Sequence, residues 1–170
     1  NNRAPLLNTG VVIVGTGAAA LSAALAVKNN PDYSGGLLVL TEGMKMGTSR
    51  NTGSDKQTYY KLATGINTPD CAANMAKDYF AGGSMHGDLA LTEAMGSLRG
   101  FYRLVSLGVP FPSDKFGEYT GYKTDHDPYE RATSAGPLTS KFMTEALEKK
   151  AKELGIKIEP GVYANVMLAI

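Results

Sequence analysis

The chain of 170 residues holds one cysteine, two histidines and no tryptophan. A single thiol, Cys71, excludes an internal disulfide and any metal site built on several cysteines. It also fits a reducing compartment, so a cytoplasmic location is the default expectation. His86 and His126 lie far apart and neither is flanked by a ligand pattern, so no metal site is expected. Charge of neither sign dominates. With 17 basic and 16 acidic residues the formal net charge is +1. Such a balance points to no nucleic-acid partner and no membrane contact. No apolar run approaches the roughly 20 residues that span a bilayer. Internal repeats and low-complexity tracts are also missing. Asn1-Asn2-Arg3 has no signal-peptide pattern and no starting Met, which leaves room for an upstream segment. At the other end the chain stops inside the apolar run Val166-Met167-Leu168-Ala169-Ile170. A run of that kind normally continues to a partner strand, so residues 1–170 are expected to be the N-terminal piece of a longer protein.

What the sequence does have is concentrated near its start. Val11-Val12-Ile13-Val14-Gly15-Thr16-Gly17-Ala18-Ala19-Ala20 reads as a buried strand, a glycine turn and the start of an alanine-rich helix. A helix start offers free N–H groups and a positive dipole end, which suit a phosphate. Gly15 permits a sharp turn, and Gly17 has no side chain to hold a pyrophosphate off the backbone. Ala18 and Ala19 supply N–H groups. Ala20 stands where the G-x-G-x-x-G fingerprint has its third glycine, and its methyl still allows close packing. A second strand, Leu37-Leu38-Val39-Leu40, leads to Glu42, which follows Gly17 by 25 residues. A carboxylate there is placed to accept hydrogen bonds from a ribose, and it disfavours a 2′-phosphate and so NADP. Strand, turn, helix, strand and acid in this order predict a dinucleotide site. On these residues alone FAD and NAD both remain open, as does a non-catalytic nucleotide-binding module.

The remaining chain predicts mostly helices. The first runs over Ala18–Asn29 and stops at Asn29-Asn30-Pro31. Residues 43–65 are polar, glycine-bearing and read as irregular. Within them, Lys45 could neutralise a phosphate, and Thr48 and Ser49 could hydrogen-bond phosphate or ribitol. Thr68-Pro69-Asp70 reads as a cap with proline at the first helical position, opening a helix to Phe80. Another helix takes Asp88 as its cap and carries Leu91, Met95, Leu98, Phe101, Tyr102 and Val105 at helical spacing up to Gly108. Residues 109–136 form a long connection. A last helix begins at Gly136-Pro137, with Leu138, Phe142, Met143, Ala146, Leu147, Ala151 and Leu154 as its apolar stripe. Glu145 with Lys149 and Glu148 with Lys152 are spaced to pair on its wet face. Ile156-Lys157-Ile158 follows as a strand, and Val162–Ile170 as extended chain. The order predicts an α/β fold, a Rossmann-like doubly wound parallel sheet with a helical insertion. Tyr59 and Tyr60 read as packing residues with polar tips. His86, His126 and Arg131 fall in loops that could face a substrate.

Several segments resemble the succinate dehydrogenase/fumarate reductase flavoprotein family. They are the Ser/Thr/Gly-rich run Gly43–Ser54, Gly83-Ser84-Met85-His86-Gly87-Asp88 with the helix after it, Leu107-Gly108-Val109-Pro110-Phe111, Arg131-Ala132-Thr133-Ser134-Ala135-Gly136, and Val162-Tyr163-Ala164-Asn165. The resemblance covers nearly the whole chain. It implies FAD as cofactor and the N-terminal part of an FAD-binding domain, with Gly43 beside the pyrophosphate and Ala164 beside the adenine. It implies a small carboxylate substrate in the parent enzyme and hydride transfer between flavin N5 and a carbon–carbon bond next to a carboxylate. The catalytic residues it implies lie beyond Ile170, and it leaves the electron donor or acceptor open. Members that attach FAD covalently do so through a histidine after the acidic residue. Here Arg50 is followed by Asn51, and no histidine occurs between Glu42 and Ser84. Non-covalent FAD is therefore expected.

Overall fold

A computed structural model describes residues 7–54, 57–65, 69–125 and 127–164. The chain divides into two units, one of residues 1–52 and 143–170 and the other of residues 53–142. The first unit contains β1 (Val11–Val14), α1 (Ala18–Lys28), β2 (Leu37–Thr41), the short α2 (Thr48–Asn51), most of α5 (Thr139–Glu153) and β5 (Lys157–Pro160). The second contains β3 (Tyr59–Tyr60), α3 (Ala72–Ala81), α4 (Gly87–Ser106) and β4 (Ala132–Thr133).

In the first unit β1, β2 and β5 form a parallel sheet with β2 in the middle. Val11 pairs with Leu37 and Val14 with Leu40, while Leu38 pairs with Lys157 and Thr41 with Pro160. The central strand is the most buried, with Leu38, Val39 and Thr41 inside, whereas β1, expected to be buried, leaves Val12 and Val14 exposed at the sheet edge. Leu21, Ala24 and Leu25 of α1 are buried, as are Leu147 and Ala151 of α5. The predicted ends of α1 and β2 agree with the structure to within a residue. So does the stop of α5, at Gly155 with φ +65°. The segment read as irregular includes two elements, α2 and β3. Residues 162–164 form no strand, and residues 165–170 lie outside the described residues.

Five expectations for the helices need correction. Helix α3 starts at Ala72 with Cys71 as N-cap, not at Pro69, and Thr68 lies outside the described residues. The reason is Asp70, whose carboxylate turns inward to accept the N–H groups of Ala63 (3.2 Å) and Cys71 (2.8 Å) and the Arg131 guanidinium. Helix α4 takes His86, not Asp88, as N-cap, and Asp88 sits in its first turn. Its buried stripe is Ala90, Ala94, Ser97, Phe101 and Leu104. Leu91, Met95 and Tyr102, one residue on, are exposed. Helix α5 starts at Thr139, because the Thr139 hydroxyl accepts the Ala135 N–H at 2.9 Å and donates to the Gly136 carbonyl at 2.6 Å. On α5 the Glu148–Lys152 pair forms at 2.5 Å, but Glu148 is buried, and Glu145 meets Arg50 of α2 at 3.2 Å.

The core of the second unit is aromatic. The Phe101 ring centroid lies 4.8 Å from that of Phe111, 5.4 Å from Tyr119 and 5.7 Å from Tyr59. Two cations are fully buried in this unit, Lys61 next to the Phe101 ring and Arg131 with its guanidinium 4.3 Å from the Tyr129 ring centroid. The Arg131 guanidinium holds Asp70 in a two-pronged pair (2.7 and 2.9 Å), Asp78 at 2.7 Å and Asp127 at 3.4 Å. Lys61 has no such carboxylates among the described residues. Its Nζ donates to the Thr64 hydroxyl at 3.4 Å and lies 5.3 Å above the Phe101 ring, and burial pushes its pKa down.

Candidate functional site

The first unit carries a cleft where its parallel strands end. From Val14 the chain must reach the start of α1 in three residues. Gly15 makes the turn at φ +104°, a conformation that side chains rarely adopt, and its N–H bonds the Leu40 carbonyl at 2.7 Å. A Cβ on Gly15 would lie 3.8 Å from the Ala20 methyl, an ordinary contact, so alanine suffices at the third glycine position. Gly17 is the N-cap of α1 and brings no side chain to the helix start. Instead the Ser49 hydroxyl accepts the Ala18 N–H at 3.5 Å. A Cβ on Gly17 would lie 3.5 Å from that hydroxyl, and one on Gly47 would lie 3.6 Å from Gly17 Cα. Both are ordinary contact distances, so what glycine contributes at Gly17 is a helix start with no side chain over it.

Strand β2 supplies the other wall. The Thr16 and Thr41 hydroxyls meet at 3.1 Å, and both donate toward the Gly43 carbonyl. This ties the glycine turn to the end of β2. After β5 the chain returns over the same end. Gly161 and Val162 donate to the carbonyls of Glu42 and Thr41, both at 3.1 Å. The Tyr163 hydroxyl then donates to Glu42 Oε1 at 2.8 Å. That bond and the nearby carboxylate charge raise the phenol pKa. The resulting cleft measures about 350 Å³.

Of the residues expected to hold a nucleotide, Gly15, Gly17, Glu42, Gly43 and Ala164 line this cleft. Ala18 and Ser49 are joined to one another next to Gly17, and Ala19 is exposed in the first turn of α1. Lys45 is exposed and does not line the cleft; its carbonyl accepts the Asn51 amide at 2.7 Å. Thr48 is exposed at the start of α2. Among the described residues no cationic side chain lines the cleft. A phosphate there would rely on backbone N–H groups and the dipole of α1. Glu42 supplies the only lining carboxylate among the described residues, an acceptor for hydroxyl donors. Glycines open to the approach of a ligand, a helix start and a ribose-type acceptor make the residues present fit an ADP-containing group.

Sequence reasoning missed Thr16, Thr41, Gly47 and the Tyr163 side chain. A threonine inside the glycine turn and another at the strand end were the available signals for the first two. The Gly47 and Tyr163 contacts depend on tertiary return of the chain and had no local signal. Arg131 belongs to the ion-pair network of the second unit, and His86 is an exposed N-cap there. His126 lies outside the described residues. Among the described residues no three or more metal-ligating side chains cluster, and no helix is long and apolar enough to cross a membrane.

No protein-family model matches the chain, and no curated protein matches it. Solved structures do. E. coli quinol fumarate reductase superimposes with a TM-score of 0.73 at 18% identity, over 91% of this chain and 26% of that one. A flavocytochrome c3 fumarate reductase gives 0.70 at 22% identity, over 93% and 27%. The 3-ketosteroid-Δ4-(5α)-dehydrogenase of Rhodococcus jostii gives 0.66 at 16% identity, over 90% and 38%. The resemblance read from the sequence therefore holds at the level of fold. The chain spans between about a quarter and two fifths of the length of these structures.

Proposed function

We propose that this chain is the N-terminal part of the FAD-binding domain of a flavin-dependent oxidoreductase related to fumarate reductases and succinate dehydrogenases. The observation that carries the reading is the shared cleft. The Gly15–Gly17 turn, the Glu42 carboxylate and Ala164 meet at the carboxyl ends of parallel strands, where open α/β sheets bind their ligands. The sheet order, with β2 between β1 and β5, matches one half of a doubly wound Rossmann-like sheet. Fold similarity to flavoproteins favours FAD over NAD.

In this reading the pyrophosphate lies at the start of α1, against the N–H groups of Ala18 and Ala19. Glu42 accepts the hydroxyls of the adenosine ribose, and the Val162–Ala164 backbone borders the adenine. Thr16 and Thr41 hold turn and strand end in register, and Thr48 and Ser49 approach from α2. When bound, FAD supplies the redox chemistry, a hydride exchanged with a carbon–carbon bond beside a carboxylate. Groups that bind a small carboxylate substrate and deliver the proton belong to parts of the parent enzyme outside these residues, so residues 1–170 alone should show no turnover. A cytoplasmic location rests on cysteine usage alone.

The test is equilibrium titration of the apoprotein with FAD and with NAD. Saturable FAD binding with NAD excluded is the expected result. NAD binding without FAD binding would replace the proposal with a nicotinamide-dependent dehydrogenase.

A further inference from the structure

The cleft contains a hydrogen bond to the carboxylate that the proposed nucleotide would use. Tyr163 is 67% exposed, so packing does not fix its ring, yet its hydroxyl is bound to Glu42 Oε1 at 2.8 Å. The backbone brings it there. Two hydrogen bonds, from Gly161 to Glu42 and from Val162 to Thr41, clamp the returning chain against the end of β2. A phenol is protonated and able to donate at neutral pH, and the neighbouring carboxylate raises its pKa further. An O–H donor on a carboxylate oxygen at this distance is also the bond that a ribose hydroxyl forms with an acidic residue. A carboxylate has room for several donors, but a vicinal diol reaches across both of its oxygens.

We propose that Tyr163 is a placeholder for the ribose: in the ligand-free protein its hydroxyl occupies Glu42 and keeps that carboxylate over the cleft, and a nucleotide bearing a ribose diol displaces it. The inference rests on the reading of this cleft as a nucleotide site. It makes Tyr163 a residue that tunes affinity downward. Its hydroxyl competes with the ligand for one acceptor, so removing the hydroxyl should strengthen binding. A residue that served only to pack its ring against the adenine would give no change, and one whose hydroxyl only held the returning chain in place would give the opposite sign.

The experiment is fluorescence titration of the full-length apoprotein with FAD, using Tyr163→Phe, Glu42→Ala and the double variant. Tyr163→Phe keeps the ring and removes the hydroxyl, and an exposed side chain of this kind does not endanger folding. FAD should bind about two- to tenfold more tightly to Tyr163→Phe, the span expected for the loss of one competing hydrogen bond. In the Glu42→Ala background the same change should have no effect. FMN, which has no adenosine ribose, should gain nothing. Unchanged or weaker FAD binding by Tyr163→Phe, with Glu42→Ala still weakening it, overturns the placeholder and leaves the nucleotide site standing. An equal gain for FMN does the same. Full FAD affinity in Glu42→Ala overturns both.

Discussion

At the scale of single residues, the buried cations carry the sharpest consequences. Arg131 is 1% exposed and satisfies Asp70, whose carboxylate is itself fully buried. Removing the guanidinium would strand that charge. Arg131→Ala should therefore destabilise the second unit by about 3–5 kcal/mol, as breaking one side of a buried pair does. Arg131→Lys should recover little of this, since an ammonium cannot hold Asp70 with two parallel bonds while reaching Asp78. Urea unfolding curves decide the matter, and an alanine variant within 1 kcal/mol of the native protein would falsify the role. An arginine between Glu130 and Ala132, at the end of a long connection, gives no hint of this in the sequence. Three of its partners come from distant positions or from an irregular loop, and only the fold assembles them. The glycine turn is the contrary case. Gly15 and Gly17 were legible because their role is local, a backbone conformation and an absent side chain.

At the scale of elements, α4 shows how a helical period can be right and its phase off by a residue. Of the large apolar residues that suggested the packed face, Phe101 is buried and Leu98 and Val105 are half-buried, but Leu91, Met95 and Tyr102 are exposed, and Ala90, Ala94 and Ser97 face the interior. Small residues let α4 pack closely, and hydrophobic size alone does not reveal that preference. Ala94→Leu should then cost about 1–3 kcal/mol through overpacking, and Met95→Ser should be near neutral. Thermal unfolding of the two variants separates the faces. An Ala94→Leu protein as stable as the native one would contradict the assigned phase. Helix α5 has an electrostatic dependence of its own. Burial by itself would raise the Glu148 pKa, but the Lys152 ammonium and the Arg50 guanidinium outweigh it, and the net shift is downward. A carboxyl lowered in the folded state contributes stability above its ordinary value of 4.5 and loses it as pH falls below that value. Glu148→Gln should lower stability at neutral pH and flatten the acid limb of the stability profile. Chemical denaturation at neutral pH and below 4.5 measures this. A variant whose acid loss is as steep as that of the native protein would remove Glu148 from the account.

At the scale of the whole molecule, the sequence order β-α-β, helices, α-β was enough to anticipate a parallel sheet. The two-stranded β3–β4 pairing was not legible, because two-residue strands carry no period. The proposed retention of FAD follows from the same region. Residues 42–84 hold no histidine, so the cofactor should be held without a covalent bond. Acid precipitation of the holoprotein should leave the yellow colour in the supernatant, and colour retained in a washed pellet would direct attention to His86. Lys61 has a different consequence, one for measurement. Its side chain is buried next to the Phe101 ring in the second unit, whereas Lys28 and Lys45 of the first are open to solvent. An acylating reagent should mark those two within its own reaction time and reach Lys61 only as fast as the second unit transiently opens. The mass-spectrometric lag between them is then a clock for that opening, built in without any engineered label. Acylation of Lys61 at the pace of Lys28 would mean the fold does not shield it.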